Sequence, residues 1–221
     1  ETKLLLLTLG TAHAWKHIVS NRIVNNCHRL PGQQFTRVRL SPDEIYQRLQ
    51  EALNELGNAF PQMKVVITVS PVRHMRDGAV ANQLSKANLL VAAHRLCENN
   101  ERVSYFPAYE LMIDDLRDYR FYADDLIHPS GMAVNYIWQK FSNSLFSESS
   151  KAALGRIEKI IRFLEHRPEN PENEAYRNSA KRMLQLVEKE KQKLPAAHWE
   201  GIEQNLSRKS GFDQPATSRK I

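Results

Sequence analysis

Short apolar runs alternate with amphipathic stretches along the first half of the chain. The runs at residues 3–9, 64–69 and 103–106 are brief and stop at Gly, Ser-Pro or Pro. These features are typical of strands in a parallel sheet, and we expect residues 3–9 to be buried on both faces. Amphipathic stretches at residues 41–57 and 82–97 separate the runs. The order predicts an α/β fold in which right-handed crossovers place helices on the faces of a parallel sheet.

The first amphipathic stretch has a strong helix start. Ser41 stands at the cap position, Pro42 at the first helical position and Glu44 three residues after the cap, which is the spacing of a capping box. Apolar residues then line one face: Ile45, Leu49, Leu53 and Leu56. We expect Gly57 to end this helix.

The segment between the first strand and this helix is more polar. Residues 10–13 form a polar turn, and residues 22–26 and 34–40 alternate polar and apolar side chains on either side of Pro31-Gly32. This alternation predicts a hairpin.

Helical patterns fill most of the C-terminal part. Residues 132–146 are amphipathic and should pack as the last helix on the sheet. Residues 151–166 and 174–193 are charged but carry apolar stripes, which predicts a helical hairpin. Residues 211–221 lack apolar content, and we expect them to be disordered.

Length and composition fit one main domain with an appendage. A chain of 221 residues with 42% hydrophobic content can bury one full core. We therefore expect an α/β domain at 1–147, a helical C-terminal extension at 148–195 and a mostly irregular tail at 196–221.

The net charge of +6 is concentrated in the appendage. Residues 1–150 hold 16 Lys and Arg against 15 Asp and Glu, whereas residues 151–221 hold 15 against 10. A nearly neutral main domain without interleaved basic and aromatic residues argues against nucleic-acid binding.

The cysteine content argues for a reducing compartment, or at least against a disulfide scaffold, and the hydropathy argues against a membrane span. Cys27 and Cys97 show no disulfide-framework spacing, and no apolar run approaches the roughly 20 residues needed to cross a bilayer. We expect a cytoplasmic protein without a membrane span. The chain begins without Met and runs straight into an apolar segment, so we also expect it to be part of a longer one.

Three loops should meet at one edge of the predicted sheet. They are residues 10–13, residues 70–74, and the segment that leads from Tyr109-Glu110 to residues 125–128. Ligands of such sheets bind beyond the carboxyl ends of the strands, where these loops lie.

The last loop carries candidate catalytic residues. Asp125 and His128 are three residues apart and can meet on one turn, with the carboxylate holding one ring nitrogen and the other nitrogen facing a substrate. The alternative is structural, since Asp125 could simply cap backbone N–H groups.

A zinc site is a weaker alternative for the histidines near the N-terminus. His13 and His17 are four residues apart, and Cys27-His28 follow. The stretch has no Cys-x-x-Cys or His-Glu-x-x-His pattern, so we expect no metal and no other cofactor.

Several motifs of the chain, in this order, resemble the bacterial GSCFA family, which is similar to the SGNH (GDSL-like) hydrolases. They are Thr8-Leu9-Gly10-Thr11-Ala12, Asn26-Cys27-His28, residues 68–74, residues 82–87, residues 105–122 and His128-Pro129-Ser130. The resemblance covers roughly residues 3–146. It implies a three-layer, flavodoxin-like or SGNH-type parallel sheet flanked by helices, followed here by the C-terminal helical hairpin.

The resemblance also implies roles for several residues. His128 corresponds to the general base and Asp125 to the carboxylate that orients it. Residues 10–13 fall where SGNH enzymes carry Gly-x-Asn-Asp, so Gly10 and Thr11 are candidates for substrate or oxyanion binding. Ala12 replaces the Asn that contributes to the oxyanion hole.

The loss of that Asn calls for another oxyanion donor. Arg73 and His74 are candidates, because guanidinium and imidazole groups can both donate hydrogen bonds. The alternative is that they form ion pairs within their own loop.

The nucleophile of the SGNH mechanism is not evident. The Gly-Ser-Cys-Phe-Ala motif that names the family does not occur in residues 1–221, and neither Ser70 nor Ser130 sits in a strand-to-helix elbow. Either this Ser lies upstream of Glu1 or the molecule is catalytically incomplete.

Two functions follow from these observations. The first is an SGNH-type esterase, acyl hydrolase or acyltransferase that acts on a small-molecule or carbohydrate ester, such as an acylated sugar. The second is a catalytically incomplete module that binds a carbohydrate or a protein partner through the same cleft.

Overall fold

A computed structural model describes residues 3–24, 29–168, 170, 173–195 and 198–210. The chain divides into two compact units, Glu1–Phe141 and Ser142–Ile221. The strands are β1 (Leu4–Leu9), β2 (His13–His17), β3 (Ile23–Val24), β4 (Phe35–Arg39), β5 (Lys64–Val69) and β6 (Val103–Tyr105). The helices are α1 (Pro42–Ala59), α2 (Ala79–Asn99), α3 (Ala108–Glu110), α4 (Gly131–Leu145), α5 (Glu148–Glu165), α6 (Glu174–Lys193) and α7 (Glu200–Ser210). The predicted mixed α/β class is confirmed.

The parallel sheet of the first unit has the order β1-β5-β6 in the described residues. β5 pairs with β1 in a register that runs from Leu4 opposite Lys64 to Leu9 opposite Val69, and β6 pairs with the other edge of β5. All three strands point the same way, so their carboxyl ends lie at one edge.

Helices pack on both faces of this sheet. Alternate residues of β1 and β5 pack against α1 and α2 in a core that includes Leu53, Ile67 and Leu96. On the opposite face, Val66 packs with Phe106 and with Phe141 of α4. A parallel sheet flanked by helices is therefore confirmed.

The expectation that β1 is buried on both faces is wrong. Leu4 and Leu6 share a face with Val66, and they are 49% and 53% exposed. The reason is that β1 pairs only with β5 in the described part of the chain, and α4 packs over Val66 rather than over β1.

A second, antiparallel sheet occupies the segment between β1 and α1. The predicted polar turn is shorter than expected, because His13 already begins β2. The two stretches predicted to form a hairpin do not pair with each other. Instead β3 and β4 flank β2 in the order β3-β2-β4.

The start of α1 is as predicted, and its end is not. Glu44 N–H donates to the Ser41 hydroxyl, and Ser41 N–H donates to the Glu44 carboxylate, which completes the capping box. The helix runs through Gly57 to Ala59. Gly57 is buried there, and a Cβ on it would lie 2.5 Å from Nη2 of Arg102. The glycine thus provides space for the guanidinium instead of ending the helix.

Replacing Ser41 should test how much the capping box stabilises the first unit. We expect Ser41→Ala to lower the free energy of unfolding by about 1 kcal/mol, because the N–H of Glu44 loses its acceptor. Chemical denaturation would measure the change. Gln47→Ala, on an exposed position of α1, is the matched control and should change stability by only a few tenths of a kcal/mol. Equal stability of the two variants would contradict a role for the cap.

The second unit contains α5, α6 and α7. The predicted helices at 151–166 and 174–193 correspond to α5 and α6, and their core residues include Ile160, Met183 and Val187. The structure differs in the predicted irregular tail, where Glu200–Ser210 form α7. Leu206 of α7 is fully buried in the same core, and Trp199 just before the helix is 4% exposed.

Two further predictions concern the C-terminal residues and membrane crossing. The disorder predicted for residues 211–221 lies outside the described residues. Within the described residues, none of the helices combines the length and the apolar character that a membrane crossing requires.

Candidate active site

Asp125 and His128 lie within hydrogen-bond distance of each other. Nδ1 of His128 is 2.6 Å from Oδ2 of Asp125. The other carboxylate oxygen, Oδ1, accepts hydrogen bonds from the backbone N–H groups of Ile127 and His128 at 2.8 and 2.9 Å. Asp125 can therefore both cap backbone N–H groups and orient the imidazole of His128, because it uses a different oxygen for each.

These hydrogen bonds fix the charge and the tautomer of the pair. The hydrogen bond from the His128 side chain and the two backbone N–H groups lower the pKa of Asp125 to about 2. The carboxylate is ionised at neutral pH, so the neutral imidazole carries its proton on Nδ1. Nε2 of His128 is then unprotonated and can accept a proton.

The loop that carries the pair is held by backbone hydrogen bonds. Ala123 N–H donates to the carbonyl of His128 at 2.8 Å, and Ser130 N–H donates to that of Phe121 at 2.7 Å. Leu126, between the two side chains, has a φ of 56°, a left-handed conformation that is unfavourable for a leucine. The surrounding hydrogen bonds must compensate for this strain, which implies that the loop is rigid.

The imidazole of His128 is open to solvent. Its side chain is 61% exposed, and within the described residues Nε2 has no hydrogen-bond partner. The pair can thus transfer a proton to or from a molecule that approaches from outside.

Arg73 joins this loop to the end of β5. Its Nη1 donates to the carbonyl of Leu126 at 3.2 Å, and its N–H donates to that of Ile127 at 3.1 Å. Its guanidinium lies over the ring of Tyr122, 4.0 Å from the centroid, and 5.4 Å from that of Tyr119. It forms no ion pair with a carboxylate of the described chain, so the predicted alternative of an ion pair in the loop does not account for it.

A cleft is lined in part by Arg73, and neither Asp125 nor His128 is among its lining residues. Its volume is about 320 Å³. The rings of Tyr109, Tyr119 and Tyr122 and the amides of Asn82 and Gln83 line it as well. Aromatic, amide and guanidinium groups thus meet at this cleft, where the hydroxyl of Tyr109 donates to Oε1 of Gln83 at 3.0 Å.

Gly10, Thr11 and His74 form a neighbouring group. A Cβ on Gly10 would lie 3.4 Å from Nε2 of His74, which places the imidazole in van der Waals range of the loop after β1. Thr11 Oγ1 is 3.1 Å from the hydroxyl of Ser85. Burial lowers the pKa of His74, and the charge of Lys86 lowers it further, so this imidazole stays neutral near pH 7.

Ala12 does not face the cleft as an oxyanion donor would. It is buried, and its N–H donates to the hydroxyl of Ser85 at 2.7 Å. The two serines near the site have local roles. Ser70 Oγ accepts from the N–H of Val72, and Ser130 Oγ accepts from that of Ala133. Neither serine contacts His128 in the described part of the chain.

Sequence reasoning missed a set of polar side chains on one face of α2. Asn82 Oδ1 accepts from the N–H of His74 at 2.9 Å, and Ser85 binds Thr11 and Ala12. Their spacing of three residues, within a stretch interpreted only as an amphipathic helix, could have indicated such a role.

Lys86, on the same face, connects the ends of two strands. It is fully buried, and its Nζ donates to the carbonyls of Gly10 and Ser70, both at 2.7 Å. Burial lowers its pKa to about 8. The lysine therefore fixes the relative position of the loops after β1 and β5.

The zinc alternative has little support in the described residues. His13 and His17 lie at opposite ends of β2, about 13 Å apart along the strand, which is too far for a shared ion. His13 Nδ1 is 3.3 Å from Thr11 Oγ1, and His17 Nδ1 is 2.8 Å from the hydroxyl of Ser20. Cys27 and His28 lie outside the described residues. Elsewhere in the described chain, no group of three or more potential ligands is close enough to hold a metal.

Comparisons with known proteins give one result. The model of the GSCFA family matches residues 1–141, which is the greater part of the chain. Searches of curated proteins and of solved structures found no match.

Proposed function

Because the chain belongs to the GSCFA family, we propose that it acts as an SGNH-type esterase, acyl hydrolase or acyltransferase on an acyl ester. The observation that carries this proposal is the hydrogen bond between Asp125 and His128, which leaves Nε2 unprotonated and exposed. A base of this kind, oriented by a carboxylate, is what a serine nucleophile requires.

The proposed reaction has two steps. A serine hydroxyl attacks the ester carbonyl while Nε2 of His128 takes its proton, and the resulting imidazolium is stabilised by Asp125. The imidazolium then gives the proton to the leaving alkoxide, and an acyl-enzyme remains. Attack of water on the acyl-enzyme would give hydrolysis, and attack of an alcohol would give acyl transfer. Nε2 of His128 would activate either molecule by taking its proton.

The serine of this proposal is that of the family's Gly-Ser-Cys-Phe-Ala motif, upstream of Glu1. We propose that it follows a strand that pairs with the open edge of β1. Two observations support a further strand at this position: the outer edge of β1 has no partner among the described strands, and Leu4 and Leu6 are half exposed beside it.

The oxyanion would be stabilised by groups other than an asparagine at position 12. Arg73 is the best candidate, because it lines the cleft, donates to the loop of His128 at the carbonyl of Leu126, and has further guanidinium donors. The imidazole of His74 would be a weaker donor, because its lowered pKa keeps it neutral, and the backbone N–H of His74 already donates to Asn82 Oδ1.

The cleft beside Arg73 is the proposed binding site for the alcohol part of the ester. Three tyrosine rings with Asn82 and Gln83 fit an acylated carbohydrate, whose ring faces stack on aromatic groups and whose hydroxyls bind amides. A volume of about 320 Å³ would hold one sugar unit rather than a chain of them.

The alternative function is binding without catalysis, through the same cleft. It is favoured by Ala12 in place of the oxyanion asparagine and by the absence of the Gly-Ser-Cys-Phe-Ala motif from residues 1–221. The ligand would again be a carbohydrate or a protein partner.

Covalent labelling separates the two functions. We expect the full-length protein to react with a fluorophosphonate at one serine, because an adjacent base activates that hydroxyl. Mass spectrometry of the labelled protein would identify the residue. Saturable binding of an acetylated sugar with no labelling and no turnover would instead establish the alternative.

A further inference from the structure

The second unit contains a cleft between α5 and α6 that the proposed reaction does not use. Its volume is about 480 Å³, within the range of ligand sites. Phe163 of α5 and Met183 and Leu186 of α6 supply its apolar lining, and all three belong to or pack against the core of the unit. The cleft is therefore an open side of that core.

Among the described residues, the charged groups that line this cleft are all cationic. They are Lys159 of α5 and Arg182 and Lys189 of α6, and no carboxylate is among the lining residues. Ser179 and Gln185 supply the remaining polar groups, and Arg182 donates to the hydroxyl of Ser179 at 2.9 Å. The cleft thus combines an apolar lining with a positive rim.

No carboxylate of α5 or α6 stands at the helical spacing that would pair it with one of these three cations. Neither Asp nor Glu stands three or four positions before or after Lys159, Arg182 or Lys189. The same unit pairs other cations closely, as in Arg156 with Glu190 at 2.6 Å and Lys191 with Glu203 at 2.7 Å. Within the described residues, the three rim cations take part in no such pair.

We propose that this cleft binds an acidic amphipathic segment of a partner protein. The apolar side chains of such a segment would cover Phe163, Met183 and Leu186, and its carboxylates would pair with the three cations. Arg182 and Lys189 are seven residues apart, which is about 10 Å along α6. A partner helix with glutamates at the same spacing and leucines between them matches this arrangement.

A nucleic acid fits this cleft less well than an acidic amphipathic segment does. Binding of single strands depends on exposed aromatic faces for base stacking, and Phe163 is already stacked on Tyr176 at 5.1 Å. Phosphates would also leave the apolar lining uncovered. Charge and lining together favour a peptide with both acidic and apolar side chains.

Fluorescence anisotropy with a designed peptide tests the proposal. The probe is a labelled synthetic helix with glutamates seven residues apart and leucines between them, and the comparison peptide carries glutamine at each glutamate. We expect the full-length protein to bind only the acidic peptide, and more weakly as salt concentration rises. The double variant R182Q/K189Q should weaken binding about tenfold or more.

Single variants show whether the acidic peptide binds at this cleft. Lys181→Gln removes one positive charge, as Arg182→Gln alone does, but from a position outside the cleft lining, and unlike Arg182→Gln it should leave the affinity nearly unchanged. Leu186→Asn should weaken binding without changing its salt dependence. Equal effects of Lys181→Gln and R182Q/K189Q, no binding of the acidic peptide, or tighter binding of duplex DNA or anionic vesicles at the same residues would each overturn the proposal.

Discussion

His128→Ala in the full-length protein should reduce kcat/KM on short acyl p-nitrophenyl esters by about 10⁴-fold. The substitution removes the only base placed to accept the serine proton in the proposed mechanism. It should not unfold the loop, because the imidazole is exposed and Asp125 retains its hydrogen bonds to the backbone of residues 127 and 128. Turnover of acetylated sugars, measured in parallel, should fall by a similar factor.

Asp125→Asn tests whether Asp125 orients His128, apart from its role in holding the loop together. An asparagine oxygen can keep accepting from the two backbone N–H groups, but its NH₂ would then face Nδ1 of His128. The imidazole would be held in the wrong tautomer, with its proton on Nε2, and activity should fall by about 10³- to 10⁴-fold at unchanged stability.

The control for both variants is His166→Ala, an exposed histidine of the second unit that should leave turnover unchanged. Turnover by His128→Ala equal to that of the wild type would reject the catalytic role of the pair. It would leave the family assignment and the fold intact.

Lys86→Met should lower the free energy of unfolding by about 2–4 kcal/mol. Methionine fills a similar volume, but the buried carbonyls of Gly10 and Ser70 then lose their donor. The loops after β1 and β5 should separate more easily. Chemical denaturation would measure the loss of stability, and amide exchange would locate it.

The stability difference between wild type and Lys86→Met should also depend on pH. The native pKa of Lys86 is lowered to about 8 from its ordinary 10.5, so between these values the unfolded chain binds more protons than the native one. The contribution of Lys86 to the free energy of unfolding therefore rises as pH increases from 8 to 10.5. The difference in that free energy between the wild type and Lys86→Met should widen over the same range. Lys64→Met, at an exposed position of β5, is the matched control. A pH-independent gap would contradict the burial of a charged ammonium.

The features that could be predicted from sequence are those set by neighbours along the chain. The capping box of Ser41 and Glu44 depends on a spacing of three residues, and so does the contact of Asp125 with His128. The central strand β5 followed from its uninterrupted β-branched run. In each case, local geometry alone determines the interaction.

The features that could not be predicted depend on residues far apart in sequence. Gly57 was interpreted as a helix end, although its role is to make room for Arg102. Lys86 was part of a motif of the family resemblance with no role assigned, yet it binds carbonyls 76 and 16 residues away. The strand β2 contains Lys and two His and lacks a buried apolar run, so only its pairing with β3 and β4 defines it. Such roles require the tertiary structure.

The open edge of β1 has a consequence for the behaviour of the protein in solution. Among the described strands β1 has no partner at its outer edge, and such an edge with half-exposed leucines can be extended by a strand from another molecule. Whatever segment completes the sheet beside Leu4 and Leu6 would therefore also prevent two copies from joining edge to edge. If β1 keeps this edge free in solution, the protein should self-associate at high concentration, which analytical ultracentrifugation would measure.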